Sequence, residues 1–328
     1  MSEIRCDDWR HAPADQLAQL FEAERSRWID ALHWDTGATL QSLEEARASG
    51  HAAGLLAHDA AGRIAGWTYY LLQNRRLQIG GLVADSGEVT RQLLDGVLKA
   101  PEADMASEVL CFAFPASNSL EGALARRRFD VRKYFYLRKT LSPQTPVATD
   151  ASGLADQLRP WAEGDGVDTV RLMARAYAGV PGARSFAPNG KLEEWAHYLA
   201  QLIKTPACGR FLSEASLSAQ HPADDRLRGV VLTTALQRDT AHVAQIAIDP
   251  AWRRRGLARA LMQAAVQRAA AAGYWRMTLL VAEENTAARD LYASLGFEPH
   301  GHFLYATRSA PNRLRGQRPA ASRTLVAA

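Results

Sequence analysis

Three short segments recur along the chain at a nearly constant offset, and this constrains the fold more than any other feature of the sequence. Gly62-Arg63-Ile64-Ala65-Gly66-Trp67-Thr68-Tyr69-Tyr70 resembles Asp225-Arg226-Leu227-Arg228-Gly229-Val230-Val231-Leu232-Thr233. Leu77 to Asp85 parallels His242 to Asp249, and Arg128-Phe129-Asp130 parallels Gly296-Phe297-Glu298. The offset stays at about 163 to 168 residues, so the chain reads as a duplicated domain.

The length of 328 residues fits that reading, because one hydrophobic core rarely organises so long a chain. Residues 1–142 form the first expected domain, 143–150 a linker, 151–310 the second domain and 311–328 a disordered basic tail. Pro143 and Pro146 favour an extended junction, and the stretch from Pro311 to Pro319 has no apolar period. No run approaches the roughly 20 apolar residues of a membrane-spanning helix. The mixed N-terminus, Met1 to Asp8, lacks the plan of a secretory signal. Cys6, Cys111 and Cys208 are far apart and show no metal-binding spacing, so reduced thiols in the cytoplasm and no metal are expected. Five late arginines, Arg308, Arg313, Arg315, Arg318 and Arg323, more than account for the net charge of +4 and leave the body near neutral, which argues against a nucleic-acid binding face.

In the second half, residues 165–178 and 191–204 carry helical spacing. Strand-like runs follow at 209–215, 227–236 and 242–248. A helix is then expected over 257–272, a strand over 276–281, a helix from Thr286 and a last strand around 302–307. The fold class that follows is α/β of the α+β kind: in each half, a central mixed sheet flanked by helices.

Ile246 and Ile248 end a strand at Asp249-Pro250, after which Arg253-Arg254-Arg255-Gly256-Leu257-Ala258 opens a helix. The first N–H groups of a helix lack internal partners and sit at its positive end, so such a joint suits a diphosphate. Gly256 and Ala258 keep the backbone open, and the arginines add charge. Read alone, these residues fit a turn glycine with solvated arginines equally well. A second element lies one strand further on: Asn285, Ala288, Leu291-Tyr292 and Leu295-Gly296-Phe297. It also has an ordinary reading, as a core helix with Gly296 as its C-cap and Tyr292 packed inside.

In this order and spacing the two elements resemble the GNAT acetyltransferase superfamily over about residues 160–308, in a tandem arrangement. The resemblance implies two tandem GNAT-like domains, acetyl-CoA as co-substrate and a small-molecule or peptide amine as acceptor. It implies that backbone amides from Arg254 to Ala258 hold the pyrophosphate and that Ile246–Ile248 pair with the pantetheine arm. Asn285 would help seat the cofactor, and Tyr292 would protonate the departing thiolate. A strand N–H near Ile246 suits the thioester oxygen. His242 stands where some members place a glutamate base; an imidazole at the start of a strand is more often a surface residue, and Glu214 or Gln245 with water are other routes.

The first half lacks both elements. Asp85 to Gln92 has no Arg-x-x-Gly-x-Ala pattern, and Leu124 and Ser117 fall opposite Tyr292 and Asn285. A degenerate copy is therefore expected, and one competent site per chain. The expected function is N-acetyl transfer to a primary amine in a ternary complex. The alternative is a non-catalytic acyl-CoA-binding or regulatory protein. Trp161, Tyr177, Trp195, Tyr198, His300 and His302 are candidate acceptor-wall residues; the four aromatics fit core packing equally well.

Overall fold

The computed structural model describes residues 4–142, 157–205, 208–221 and 224–309. The expected linker and the expected tail lie outside these residues. In chain order the elements of the first half are β1 (Arg5–Asp8), α1 (Ala14–Leu32), α2 (Gly37–Ala48), β2 (Ala53–His58), β3 (Ile64–Gln73) and β4 (Arg76–Ala84). They continue with α3 (Gly87–Lys99), α4 (Pro101–Met105), β5 (Glu108–Ala113), α5 (Asn118–Arg126) and β6 (Asp130–Thr140). The second half has β7 (Leu158–Pro160), α6 (Gly166–Ala176), α7 (Leu192–Lys204), β8 (Arg210–Phe211), β9 (Leu217–His221) and β10 (Asp224–Gln237). It ends with β11 (Thr240–Ile248), α8 (Leu257–Ala271), β12 (Arg276–Ala282), α9 (Thr286–Ser294) and β13 (Glu298–Ser309). None of these helices is long and apolar enough to cross a membrane.

Contacts group the chain into two compact units, and neither is continuous in sequence. Among the described residues, the first takes 4–10, His51–Val131 and 304–309; the second takes His11–Gly50 and those of Arg132–Phe303.

In the first unit, β1, β2, β3 and β4 pair antiparallel in sequence order and β5 joins β4 in parallel. Its outer ladder is Leu304–Ser309 of β13, antiparallel on β5. Ser86 and Ser117 start α3 and α5 by accepting hydrogen bonds from the Val89 and Leu120 amides, at 3.3 and 3.1 Å. Leu93, Leu94, Val97, Leu120 and Leu124 are buried at helical spacing against the sheet.

In the second unit the strand order is β6-β12-β11-β10-β9-β7, with β8 also on β10. Of the ladders β6–β12, β12–β11, β11–β10, β10–β9 and β9–β7, the one between β11 and β12 is parallel and the others are antiparallel. Along β10 the faces alternate: Val231 joins the core under α8 and α9, and Val230 and Leu232 join the core under α6 and α7. Alanine-rich α8 lies close to the sheet because Gly229 beneath it has no side chain; a Cβ there would stand 2.8 Å from Leu261 Cδ1. In α7 the Glu194 carboxylate accepts from the Asn189 and Lys191 amides, fixing the helix start. α1 and α2 also belong to this unit, where the Tyr136 hydroxyl donates to the Leu32 carbonyl at 2.9 Å.

The expected helices over 165–178, 191–204 and 257–272 and the strands over 227–236, 242–248 and 276–281 all appear. The strand expected over 209–215 differs. It stops at Phe211 and becomes a single 3-10 turn, and β9, which the sequence reading lacked, follows.

Candidate active site

β11 and β12 pair in parallel from Thr240–Arg276 to Val243–Leu279, and there the ladder ends although both strands continue. On its other side β11 carries a bulge: Thr233 faces Val243 and Leu232 faces Gln245, leaving Ala244 as the extra residue. Beyond the bulge, β11 parts from β12 and presents the backbone of residues 244–248 as an open edge. A chain of amides could pair with such an edge as another strand would. Tyr177 of α6 fixes one carbonyl of this edge by donating to Ile246 O at 2.6 Å.

The loop after Ile248 is built by its own side chains. Asp249 accepts from the Ala251 amide at 3.0 Å and pairs with Arg175 at 2.9 Å. The three arginines have separate roles. Arg253 donates to the Ala176 carbonyl at 2.6 Å and ties the loop to α6. Arg255 lies over the Trp252 ring at 4.9 Å, with Arg228 also on that ring at 4.8 Å. Arg254 is exposed and left-handed, φ 62°. Gly256 is left-handed too, φ 85°, and is the N-cap of α8. The first α-helical bond of α8 runs from Ala260 N to Gly256 O, so the amides of Leu257, Ala258 and Arg259 have no partner within the helix. Left-handed residues at 254 and 256 curve the backbone into a concavity of N–H groups, which is the form of an anion nest. Leu257, 2% exposed, anchors this nest in the core.

Tyr292 projects from α9 and is 5% exposed, edge-on to Phe297 at 6.0 Å. Burial pushes its phenol up to about 12. Burial also raises the Tyr177 phenol, with Tyr292 and Tyr134 adding to the rise and Arg253 opposing it. Residues of α6, α9, β6 and the cradle loop are thereby near neighbours. Asn285 is the N-cap of α9 and accepts from the Ala288 amide at 3.3 Å. Ser117 caps α5 in the same way, so the position shared by the two copies serves helix capping.

His242 lies inside the core, 4% exposed, between the Trp34 ring at 5.6 Å and the Tyr136 ring at 6.2 Å. Its Nδ1 is 2.9 Å from Thr278 Oγ1, and burial pulls its pKa down to about 3. Glu214 is exposed on the turn before β9 and neighbours Tyr274, which precedes the N-terminal end of β12, whereas the splay opens towards the C-terminal end. Gln245 borders the bulge, 5% exposed, with a buried Nε2 that has no partner among the described residues. Trp161 and Trp195 are 6% and 1% exposed and belong to the α6–α7 core; Tyr177 stacks on Trp195 at 5.4 Å. His302 lies against Phe135 at 4.8 Å. The bulge and the left-handed Arg254 have no counterpart in the sequence reading, and neither leaves a residue-type signature. Among the described residues, no group of three or more His, Cys, Asp or Glu converges as metal ligands.

The first unit repeats the scaffold without the loop. Tyr69 faces Gly81 and Tyr70 faces Ile79, so Gly80 is the extra residue of a matching bulge. The β4–β5 ladder ends at Ile79–Cys111, as β11–β12 ends at Val243–Leu279. Yet β4 ends at Ala84 and α3 begins at Gly87, leaving only Asp85 and Ser86 where the second unit has Asp249 to Gly256. Leu124, opposite Tyr292 in the repeat, is fully buried.

Residues 182–297 match the family model described as the Acetyltransferase (GNAT) family. The [ribosomal protein bS18]-alanine N-acetyltransferase of Salmonella typhimurium is 37% identical over 84 residues, 26% of this chain. The chain spans about half, 56%, of the length of that relative. Among solved structures, a GCN5-related N-acetyltransferase from Sphaerobacter thermophilus superposes with a TM-score of 0.62 at 18% identity, covering 94% of this chain and 96% of that one. A tandem GNAT protein from the clavulanic acid biosynthesis pathway gives 0.61 at 14% identity, covering 94% and 99%. At these identities the two structures establish the fold alone. The half that carries the Asp249–Gly256 loop thus matches the GNAT family model, and the chain has the fold of tandem GNAT proteins along nearly its whole length.

Proposed function

We propose that the chain is an acetyl-CoA-dependent N-acetyltransferase that acts on a primary amine by direct transfer in a ternary complex. The observation that carries this reading is the splay of β11 from β12 directly beside the Arg254–Ala258 nest, with the neutral Tyr292 phenol buried next to it. Acetyl-CoA supplies an activated acetyl thioester. The unpaired amides of residues 254–258 suit its pyrophosphate, and the open edge of Ile246–Ile248 suits the amide-bearing pantetheine arm. A β11 N–H near Ile246 donates to the thioester oxygen as it gains negative charge. Tyr292 holds its proton for the sulfur as the carbon–sulfur bond breaks.

His242 is assigned to the scaffold. An imidazole held near 3 is neutral at physiological pH but too weak a base to take a proton from an ammonium group. His242→Asn keeps a donor near Thr278 and is expected to leave kcat/KM within about threefold of wild type, with an unchanged pH profile from 6 to 9. A hundredfold loss, or disappearance of an acidic limb, would make His242 the base. The ammonium proton leaves through water instead, near the Gln245 carboxamide.

The first unit is proposed to hold no CoA, because it lacks the loop that forms the nest. Calorimetry is expected to give one equivalent of acetyl-CoA per chain, and two equivalents would refute that assignment. The acceptor is proposed to be a small molecule or a peptide N-terminus, and the compartment the cytoplasm, in keeping with unbonded Cys6, Cys111 and Cys208. A thiol-release assay across amine classes tests the activity itself. Binding of acetyl-CoA without release for any amine would favour an acyl-CoA-binding regulatory protein.

A further inference from the structure

Within the second unit, three nitrogen-bearing side chains from three elements converge outside the cofactor site. Arg138 of β6 brings one guanidinium nitrogen to 3.4 Å from His33 Nε2 and to 3.4 Å from His300 Nε2. The two imidazoles stack at 5.9 Å with planes 8° apart. His33 follows α1 as its C-cap with φ 54°, a left-handed conformation that costs a non-glycine residue energy. His300 is placed by a hydrogen bond with the Ala31 backbone, so its Nδ1 carries the donor proton and Nε2 faces the guanidinium. All three side chains are partly exposed.

The charge here is not balanced. Arg138 has no carboxylate partner among the described residues. The Asp239 carboxylate acts on His33 and is already engaged by Arg276 and by Thr240. Tyr136, whose ring is 6.4 Å from His300, is neutral, its phenol raised by burial. Burial, then the Arg276 and Arg138 charges, lower His33; burial, then Arg138, lower His300. Both rings thus accept from Arg138 as neutral bases. Protonating either one would set two like charges together, unless an anion lay between them.

We infer that Arg138, His33 and His300 form a site for a phosphoryl group, separate from the CoA cradle. A guanidinium offers two parallel N–H donors to such an oxyanion, and each imidazole becomes a further donor once protonated. Arg138 pairs with Thr278, in the paired part of the sheet that also holds His242. The nest follows Ile248, roughly 20 Å further along β11 at about 3.3 Å per residue. One CoA pyrophosphate therefore does not serve both places. This inference does not depend on the acyl-transfer reading.

The test is a histidine titration by NMR on the full chain, in inorganic phosphate and in chloride at equal ionic strength, with acetate as a third arm. Saturating phosphate is expected to raise the His33 and His300 pKa values by about one unit, which corresponds to about tenfold tighter binding to the protonated site. His11 and His51 serve as references and are expected not to move. Arg138→Gln keeps a hydrogen-bond donor but removes the charge, and is expected to abolish the shift. Equal titration in phosphate and chloride would overturn the site, as would a shift that survives in Arg138→Gln. An equal response to acetate would overturn the phosphoryl assignment.

Discussion

Replacing Gly256 by glutamate is expected to weaken acetyl-CoA binding by a factor of about 100 to 1,000, read by calorimetry. Two effects combine. Gly256 has φ 85°, where an L side chain costs about 1–2 kcal/mol. The larger effect is charge. A carboxylate at the start of α8 is attracted by the helix dipole, as a phosphate would be, so the variant side chain folds onto the nest. Two like charges about 4 Å apart near a protein surface repel by about 4 kcal/mol before screening. A net loss of about 3–4 kcal/mol gives the stated factor. Gly256→Asn separates the two effects, because asparagine tolerates the left-handed region and carries no charge. It is expected to bind within about tenfold of wild type. Unchanged affinity in Gly256→Glu would remove the nest from the CoA site.

The loop from Asp249 to Gly256 was legible in the sequence because its signals are local. A proline, a glycine and the start of a helix follow one another in the chain, and each constrains its own backbone. The duplication was legible for a similar reason: both copies keep a glycine entering a strand and a phenylalanine ahead of the last one. Even the alignment of Ser117 with Asn285 holds, since each caps the corresponding helix. Other features depend on partners distant in sequence. β9, Leu217–His221, was hidden by Ser218 within it and Ser216 just before it; both are buried, Ser216 donating to Leu212 O at 2.7 Å and Ser218 bonding to Asp165. A polar alternation that suggests a loop is here a strand whose hydroxyls are satisfied inside.

The make-up of the two units escaped the sequence for a further reason. Strand 132–140 pairs with β12, and Leu304–Ser309 pairs with β5. A ladder joins backbone to backbone, and both end strands are aromatic and apolar, so the pattern of neither states which sheet it completes. The role of His242 also turned on distant neighbours. Its position on a strand was legible; its burial by Trp34 and Tyr136 was not, because those residues come from another part of the chain. The ordinary alternative for Trp161 and Trp195, core packing, is the one the structure supports.

Tyr292→Phe is expected to lower kcat by about 10²–10³ with any competent amine while leaving acetyl-CoA affinity within twofold, because the ring still packs on Phe297 and only the proton donor is lost. An objection arises from the acidity of the group. Burial pushes the Tyr292 phenol to about 12, and a free thiol has a pKa near 8.5, so in water the transfer would run uphill by several units. The comparison changes inside the protein, because desolvation penalises a thiolate as it does a phenolate. Cys111 of this chain shows the size of the effect: burial alone raises its thiol to about 12, level with Tyr292. A thiolate formed in an equally dry pocket is therefore a fair match for the buried phenol, and the two exchange a proton with little difference in energy. The raised pKa also keeps Tyr292 protonated well above neutrality, so the wild-type rate is expected to show no basic limb from this group below about pH 10. A Phe variant with the wild-type rate, or a wild-type limb near pH 8 that disappears in the variant, would exclude Tyr292 as the acid as described.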